Sequence, residues 1–160
     1  ANLLIARVGG TAAFTAFMRS LGDEVTRLDR TEPAMNAPDT DTHQDTSSPR
    51  AMAQSLQRLL LGNGLPPAQR AQLKTWLQAS VTGDRRLKAG LRSGWKIASK
   101  TGTSDLGSSN DVGVVWSPSG EAWVVAAFIR NSPADYPARD ASLADVGRWV
   151  VQLQSAAARS

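Results

Sequence analysis

The spacing of apolar residues changes period along this chain. From Leu3 to Leu91 they recur every three or four positions. Between Lys96 and Ile129 they come in short runs and alternations, and helical spacing then returns. Leu3, Leu4, Ile5 and Val8 open an apolar helix stopped by Gly9-Gly10, and the chain begins at Ala1 as though already inside it. Thr11 is placed to cap a second helix, with Phe14, Phe17, Met18 and Leu21 on one face and Gly22 as its stop. Ser48-Pro49 is an N-cap and first-turn pair for a helix that turns Met52, Leu56, Leu59 and Leu60 inward and ends at Gly62-Asn63-Gly64. Pro66-Pro67 starts the next helix, with Leu73, Trp76 and Leu77 as its apolar face. Thr82-Gly83-Asp84 reads as a turn before a short helix through Leu87 and Leu91.

Strands are expected over 96 to 103, 112 to 116 and 122 to 129, the last two joined by the turn Ser117-Pro118-Ser119-Gly120. A closing amphipathic helix is expected from 139 to about 157, using Leu143, Val146, Val150 and Leu153. Helices, then antiparallel strands, then a helix give an α+β class, with a helical layer and a sheet covered by the last helix. The run from Trp123 to Phe128 is an apolar strand that needs a partner on each side, because a long apolar edge invites aggregation. Residues 28 to 48 carry no sustained period, and a loop of that length in a compact domain is usually functional or disordered.

Composition narrows the chemistry. The 160 residues suffice for one globular domain, with 41% hydrophobic and 20% charged residues. A net charge of +4 favours anionic small molecules, while the scattered Lys and Arg form no basic patch of the kind that binds nucleic acid. Cysteine is absent, which removes thiol catalysis, disulfides and Cys-based metal sites, and His43 is the single histidine. No metal and no organic cofactor is implied. No apolar run approaches a membrane span and the N-terminus has no signal-peptide pattern, so no membrane association is expected. The tryptophans are spread over separate elements and read as packing residues.

Two short motifs carry candidate chemistry. The first is Arg30-Thr31-Glu32-Pro33-Ala34-Met35-Asn36, closing at Asp45. Arg30 and Asp45 are opposite charges able to pinch the loop. Glu32 precedes proline, where a cis peptide costs little, and Asn36 follows four residues on. A carboxylate and a carboxamide sharing one water make a general-base arrangement for ester hydrolysis. The second is Lys100-Thr101-Gly102-Thr103 on a strand, where alternation puts Lys100 and Gly102 on one face and Thr101 and Thr103 on the other. Glycine there lets a ligand approach the backbone closely. Ser93-Gly94-Trp95-Lys96 has the spacing of a Ser-x-x-Lys nucleophile but lies in a glycine turn, not on one helix face, and reads as a decoy. His43 sits among polar residues with no partner serine and reads as solvated.

Together these motifs resemble the class A serine β-lactamases, whose signature is Ser-x-x-Lys, Ser-Asp-Asn and Lys-Thr-Gly with an additional glutamate. Leu21-Gly22-Asp23, Arg27-Leu28-Asp29-Arg30, the stretch from Thr82 to Leu91 and Asn110-Asp111 are similar to the family as well. The resemblance implies a β-lactamase and penicillin-binding-protein-like fold. Residues 1–94 would belong to the helical subdomain, including an Ω-loop over 28–48 built by Arg30, Pro33 and Asp45. Residues 95–160 would belong to the α/β subdomain, with three of the family's five strands. It implies that Glu32 and Asn36 activate the deacylating water, and that Lys100 and Thr101 hold the substrate carboxylate beside Gly102. The Thr103 N–H would be an oxyanion donor and Arg139 a second positive charge. Ser104, Ser109 and Gln44 stand where relatives often carry glycine, arginine and arginine, and Ser104 would shape the pocket rim.

The same resemblance places the Ser-x-x-Lys and Ser-Asp-Asn segments before Ala1. The expected function is therefore hydrolysis of a β-lactam through an acyl-enzyme on a serine outside this chain, with the N-terminal portion as partner and this chain alone inactive. It further implies a monomer exported to a bacterial periplasm or beyond. Two alternatives remain open on the sequence: an acyl-transferring penicillin-binding or D-Ala-D-Ala peptidase relative, which typically has no Ω-loop glutamate, and an inert fragment or interaction module.

Overall fold

The computed structural model describes residues 1–36 and 43–157. Its elements run α1 (Asn2–Arg7), α2 (Gly10–Ser20), a 3-10 turn (Ala34–Asn36), α3 (Pro49–Leu56) continued by a π turn (Gln57–Leu61), and α4 (Pro67–Gln78). A second 3-10 turn (Leu87–Gly90) follows, then β1 (Lys96–Ser104), β2 (Ser108–Trp116), β3 (Ala122–Ile129) and α5 (Tyr136–Ala157). The strands form an antiparallel sheet in the order β1-β2-β3, with helices on both faces. This is the α+β arrangement expected, down to the C-terminal helix covering the sheet.

Register fixes which side chains meet which layer. Lys96 pairs with Trp116 and Thr101 with Asp111 across β1 and β2, while Val114 pairs with Val124 across β2 and β3. Directly opposed residues share a face. One face therefore carries Val115 and Val125, packed on Leu87 and Val150 from the 87–90 turn and α5. The other carries Val114 and Val124 against Leu56 and Leu60, with Leu73 and Leu77 of α4 alongside. Leu87, Leu143, Val114 and Val115 are at most 1% exposed, and each such side chain contributes roughly 1.5–3 kcal/mol by leaving water.

Several boundaries differ from the sequence reading for local reasons. α2 starts at Gly10 with Gly9 as its cap, and both glycines have positive φ, so Thr11 lies inside the first turn and caps nothing. α5 starts at Tyr136, three residues early, because the Asp135 carboxylate accepts from the Ala138 N–H at 2.9 Å and Pro137 suits a first turn. β2 begins at Ser108, not 112, since Ser108, Ser109, Asn110 and Asp111 all pair with β1 despite their poor strand propensity. Ser48 caps α3 as expected, accepting from the Ala51 N–H at 3.2 Å. Trp76 and Leu153, expected inward, are 66% and 56% exposed. Among the described residues no strand pairs with the outer side of β3, so the apolar run from Trp123 to Phe128 does lie at an open edge.

Candidate active site

Three backbone-to-carboxylate bonds and one ion pair tie the neck of the 28–48 loop. Asp45 Oδ1 accepts from the N–H of Asp29 at 2.7 Å and of Arg30 at 3.0 Å, and the Asp45 N–H donates to Asp29 Oδ2 at 2.9 Å. Arg30 Nε donates to Asp45 Oδ2 at 2.6 Å. Burial alone would raise the Asp45 carboxyl, but those N–H donors and the Arg30 guanidinium together hold it below its ordinary value. Asp29 is held low chiefly by Arg27, which donates to both its oxygens. The expected Arg30–Asp45 clasp is present, and Asp29 belongs to it.

Beyond the neck, the Glu32–Pro33 peptide is cis and residues 34–36 form the 3-10 turn. That turn brings Asn36 back so that its Nδ2 donates to Glu32 Oε2. Asn2 on α1, which the sequence reading passed over, holds the glutamate's backbone from across the fold. Its Nδ2 donates to the Glu32 carbonyl at 2.8 Å, and its Oδ1 accepts from the Glu32 N–H at 2.9 Å. Glu32 is half-buried. Residues 37–42 lie outside the described residues, and His43 is exposed.

The strand β1 alternates as expected. Thr101 and Thr103 share a face with Asp111 and Ser109, their partners across the ladder, while Lys100 and Gly102 face the other way. Lys100 Nζ donates to the Thr101 carbonyl at 2.8 Å, and Thr101 Oγ1 to Thr82 Oγ1 at 2.7 Å. A cation that the sequence reading did not single out reaches this strand at Gly102 and Thr103. Arg86 donates from Nη2 to Thr103 Oγ1 at 2.7 Å and from Nη1 to the carbonyls of Gly102 (2.9 Å) and Asn110 (2.8 Å). Its Nε donates to Asp140 Oδ1 at 2.7 Å, which aims the guanidinium.

Arg139 is 4% exposed. It donates to the carbonyls of Ser108 (3.1 Å) and Ser104 (3.4 Å), and stacks on Tyr136 with its guanidinium 4.4 Å from the ring centroid. Tyr136 in turn donates to Asp105. Arg139 thus clasps the underside of the β1–β2 hairpin, and the guanidinium at Thr103 is that of Arg86. Between the loop and the sheet lies a cleft of about 590 Å³, lined among others by Arg30, Asn36, Gly102, Thr103 and Ser104. Glu32 joins this group through Asn36. A second cavity of about 460 Å³, lined by Leu77, Lys88, Arg92 and Trp95, contains none of the residues expected to act except for the decoy's Ser93 and Lys96. Ser93 lies in a turn and Lys96 at the start of β1, so the pair is not on a helix.

Beside Thr101 and Thr103, on the same face of the sheet, sits Asp111, fully buried. Burial pushes its carboxyl up to about 6, against the opposing pull of the Leu87 N–H, the Ser99 hydroxyl and the Arg86 charge. Among the described residues no cluster of three or more His, Cys, Asp or Glu is placed to hold a metal ion, and no helix is long and apolar enough to cross a membrane.

Comparison with known proteins follows the same lines. The sequence profile of the "Beta-lactamase enzyme family" matches residues 1–154. A β-lactamase of Mycobacterium tuberculosis is 47% identical over 156 residues, covering 94% of this chain and 51% of the relative. Beta-lactamase FAR-1 of Nocardia farcinica is 43% identical over 150 residues, covering 94% and 48%. Among solved structures, an ancestral (GNCA) class A β-lactamase superposes with a TM-score of 0.91 at 51% identity, covering 95% of this chain and 58% of that one. The chromosome-encoded β-lactamase of Vibrio parahaemolyticus does so at 0.89 and 31% identity, covering 96% and 58%. The chain spans about half the length of the curated relatives it matches.

Proposed function

This chain belongs to the class A β-lactamases, and from that premise we propose that it carries the deacylating half of a β-lactam hydrolase. The acyl group would sit on a serine supplied by a segment outside this chain. Glu32 takes a proton from a water that its carboxylate and the Asn36 side chain hold together. The water oxygen attacks the acyl-ester carbonyl, the ester C–O bond breaks, and the serine oxygen regains the proton that Glu32 took up, which restores the carboxylate. General-base assistance of this kind contributes typically 10²–10⁴-fold. The observation that carries the reading is the Asn36 carboxamide donating to the Glu32 carboxylate in a loop clasped by Arg30 and Asp45.

Strand β1 supports the same chemistry, with Gly102, Thr103 and Ser104 lining the cleft and Lys100 and Thr101 just before them. Lys100, Thr101 and Gly102 line up along β1 to receive the substrate carboxylate, and the Thr103 N–H would donate to the oxyanion, a contact worth about 2.7–4 kcal/mol in comparable acyl-transfer sites. Arg86, ending on Thr103 Oγ1, supplies the positive charge behind that wall. Ser104 forms the rim. The N-terminal portion bearing the nucleophile would pair with the open edge of β3 and cover Leu3 and Leu4 on α1 and Val8 just after it, which are 88%, 72% and 58% exposed. The complete enzyme would act as a monomer after export from the bacterial cytoplasm.

The test uses the full-length protein, a chromogenic cephalosporin and intact-mass spectrometry. Wild type turns over with a transient acyl adduct. Glu32→Gln lowers kcat by about 10³-fold and accumulates the acyl-enzyme. Unchanged turnover in Glu32→Gln would overturn the role of Glu32. A stable adduct on the wild type would instead point to a penicillin-binding acyl transferase, and no adduct at all to a non-catalytic module.

A further inference from the structure

Asp111 is a charged residue with no exposure, on β2 directly opposite Thr101 of β1. Its Oδ2 accepts from the Leu87 N–H at 3.2 Å, and the Ser99 hydroxyl also bonds the carboxyl. Its Oδ1 has no partner among the described residues, nor has Ser109 Oγ two positions earlier on the same face. Buried polar groups are nearly always satisfied, and leaving one unsatisfied costs free energy. A buried carboxylate adds little net stability to a fold, which leaves a contribution through positioning open to it.

The contribution lies in what the Leu87 amide belongs to. Arg86 immediately precedes it, and the chain from Gly83 to Leu87 folds tightly over Asp111. The Arg86 N–H donates to the Gly83 carbonyl at 2.9 Å, and a Cβ built on Gly83 would stand 3.4 Å from Asp111 Oδ2. Holding the amide of Leu87 fixes the backbone from which the Arg86 side chain departs toward Thr103. Asp140 restrains only the Nε side of that guanidinium. Asp111 restrains its root.

We propose that Asp111 is a positioning residue for the anion pocket, anchoring the Leu87 amide so that Arg86 is delivered to Thr103 and the carboxylate of the substrate meets a fixed positive charge. This rests on the reading of the cleft as a β-lactam site for its substrate, but not for the placement of Arg86. Two effects of Asp111 on an anion compete. Its own negative charge repels the anion through the strand, while its hold on Arg86 favours it. The Arg86 contact is directional and made at Thr103, which lines the cleft, whereas the Asp111 carboxylate is fully buried and does not line it, so the hold on Arg86 prevails.

Two measurements on the full-length protein test this. In kinetics, KM is compared for a β-lactam with a free carboxylate and for its methyl ester. Asp111→Val raises the acid-to-ester KM ratio about tenfold, the scale of one charge-assisted hydrogen bond. It has no further effect on that ratio in an Arg86→Ala background. A merely structural Asp111 would change both substrates alike and act equally in both backgrounds. An unchanged ratio overturns the proposal, as does a lowered one, which would mean that the pocket feels only the negative charge. The second readout needs no turnover: hydrogen exchange at Arg86 Nε–H and the Leu87 amide by NMR. Asp111→Val speeds exchange at both while the β1–β2 ladder amides stay protected. Unaltered protection at Arg86 Nε–H overturns the proposal even if the protein hydrolyses no β-lactam.

Discussion

Arg30 and Asp45 meet at 2.6 Å, Nε to Oδ2, and that contact closes the loop whose interior holds Glu32 against Asn36. The two side chains are 23% and 8% exposed, so the pair lies between a surface ion pair and a buried one. Asp45 also receives the amides of Asp29 and Arg30. Asp45→Ala therefore strips three acceptor contacts at once and should cost about 2 kcal/mol, read as a drop in denaturation midpoint. The Asp45 carboxyl is held below its ordinary value of 3.8. Its contribution is complete above about pH 4 and is lost as pH falls through the lowered folded value. Melting curves should show the wild type approaching the stability of the variant in strong acid. A constant gap from pH 7 to pH 2 would refute the assignment.

Asn2 grips both backbone polar groups of Glu32 from thirty positions away. Its bonds are exposed, so their net contribution to stability is small, about 1 kcal/mol. Their effect on geometry is larger, because a general base misplaced by about 1 Å loses on the order of 10²-fold. Asn2→Ala should slow deacylation by about 10- to 100-fold with little change in melting temperature. Stopped-flow kinetics beside thermal melts would check it, and a large melting shift with intact deacylation would show a scaffold role instead.

What could be read from the sequence was what local chemistry decides. The Ser48 cap, the alternation of Lys100 and Gly102 with Thr101 and Thr103, and the opposite charges of Arg30 and Asp45 each follow from neighbours or from a closed loop. Arg86 was not legible, because Arg85 and Arg86 look alike in sequence. Only the packing of the 87–90 turn against α5 sends one guanidinium to Thr103 and Asp140. Arg139 was expected near the substrate from the family resemblance, yet the final helix starts three residues earlier and turns the side chain under the hairpin. The polar start of β2 was missed for a related reason. Ser109 and Asp111 are strand residues through the ladder, not through propensity.

Asp111 gives the molecule a pH dependence of opposite sign to that of Asp45. Burial raises its carboxyl to about 6 from 3.8, despite Arg86, Ser99 and the Leu87 amide around it. Between those values the folded state keeps a proton that the unfolded state has lost, so stability falls as pH rises from about 4 through 6. The full shift corresponds to roughly 3 kcal/mol. Asp111→Asn should flatten that limb while leaving the acid limb from Asp45 in place. Urea titrations at pH 4.5 and 7.5 would measure it, and an equal pH slope in both proteins would remove the explanation.

Gly147 sits in the middle of α5, where alanine would ordinarily favour a helix by about 1 kcal/mol. Its neighbour decides otherwise. A Cβ there would stand 2.2 Å from the Leu87 carbonyl oxygen, and one on Gly90 would stand 2.0 Å from the Ala144 carbonyl oxygen. The two glycines let the 87–90 turn lie directly on α5, with Leu87 and Leu143 buried on either side. Since the obstruction is backbone, the turn itself must move. Gly147→Ala should therefore destabilise by about 1–3 kcal/mol despite its helix propensity. It should also shift the root of Arg86, so loss of affinity for carboxylate-bearing substrates accompanies the lower melting point. Gly120→Ala is the control for an added methyl with nothing within 4 Å, though its φ of +88 brings a backbone cost of its own. That variant should lose stability while leaving the acid-to-ester KM ratio unchanged. If Gly147→Ala also leaves the ratio unchanged, the turn does not transmit the packing of α5 to the cleft.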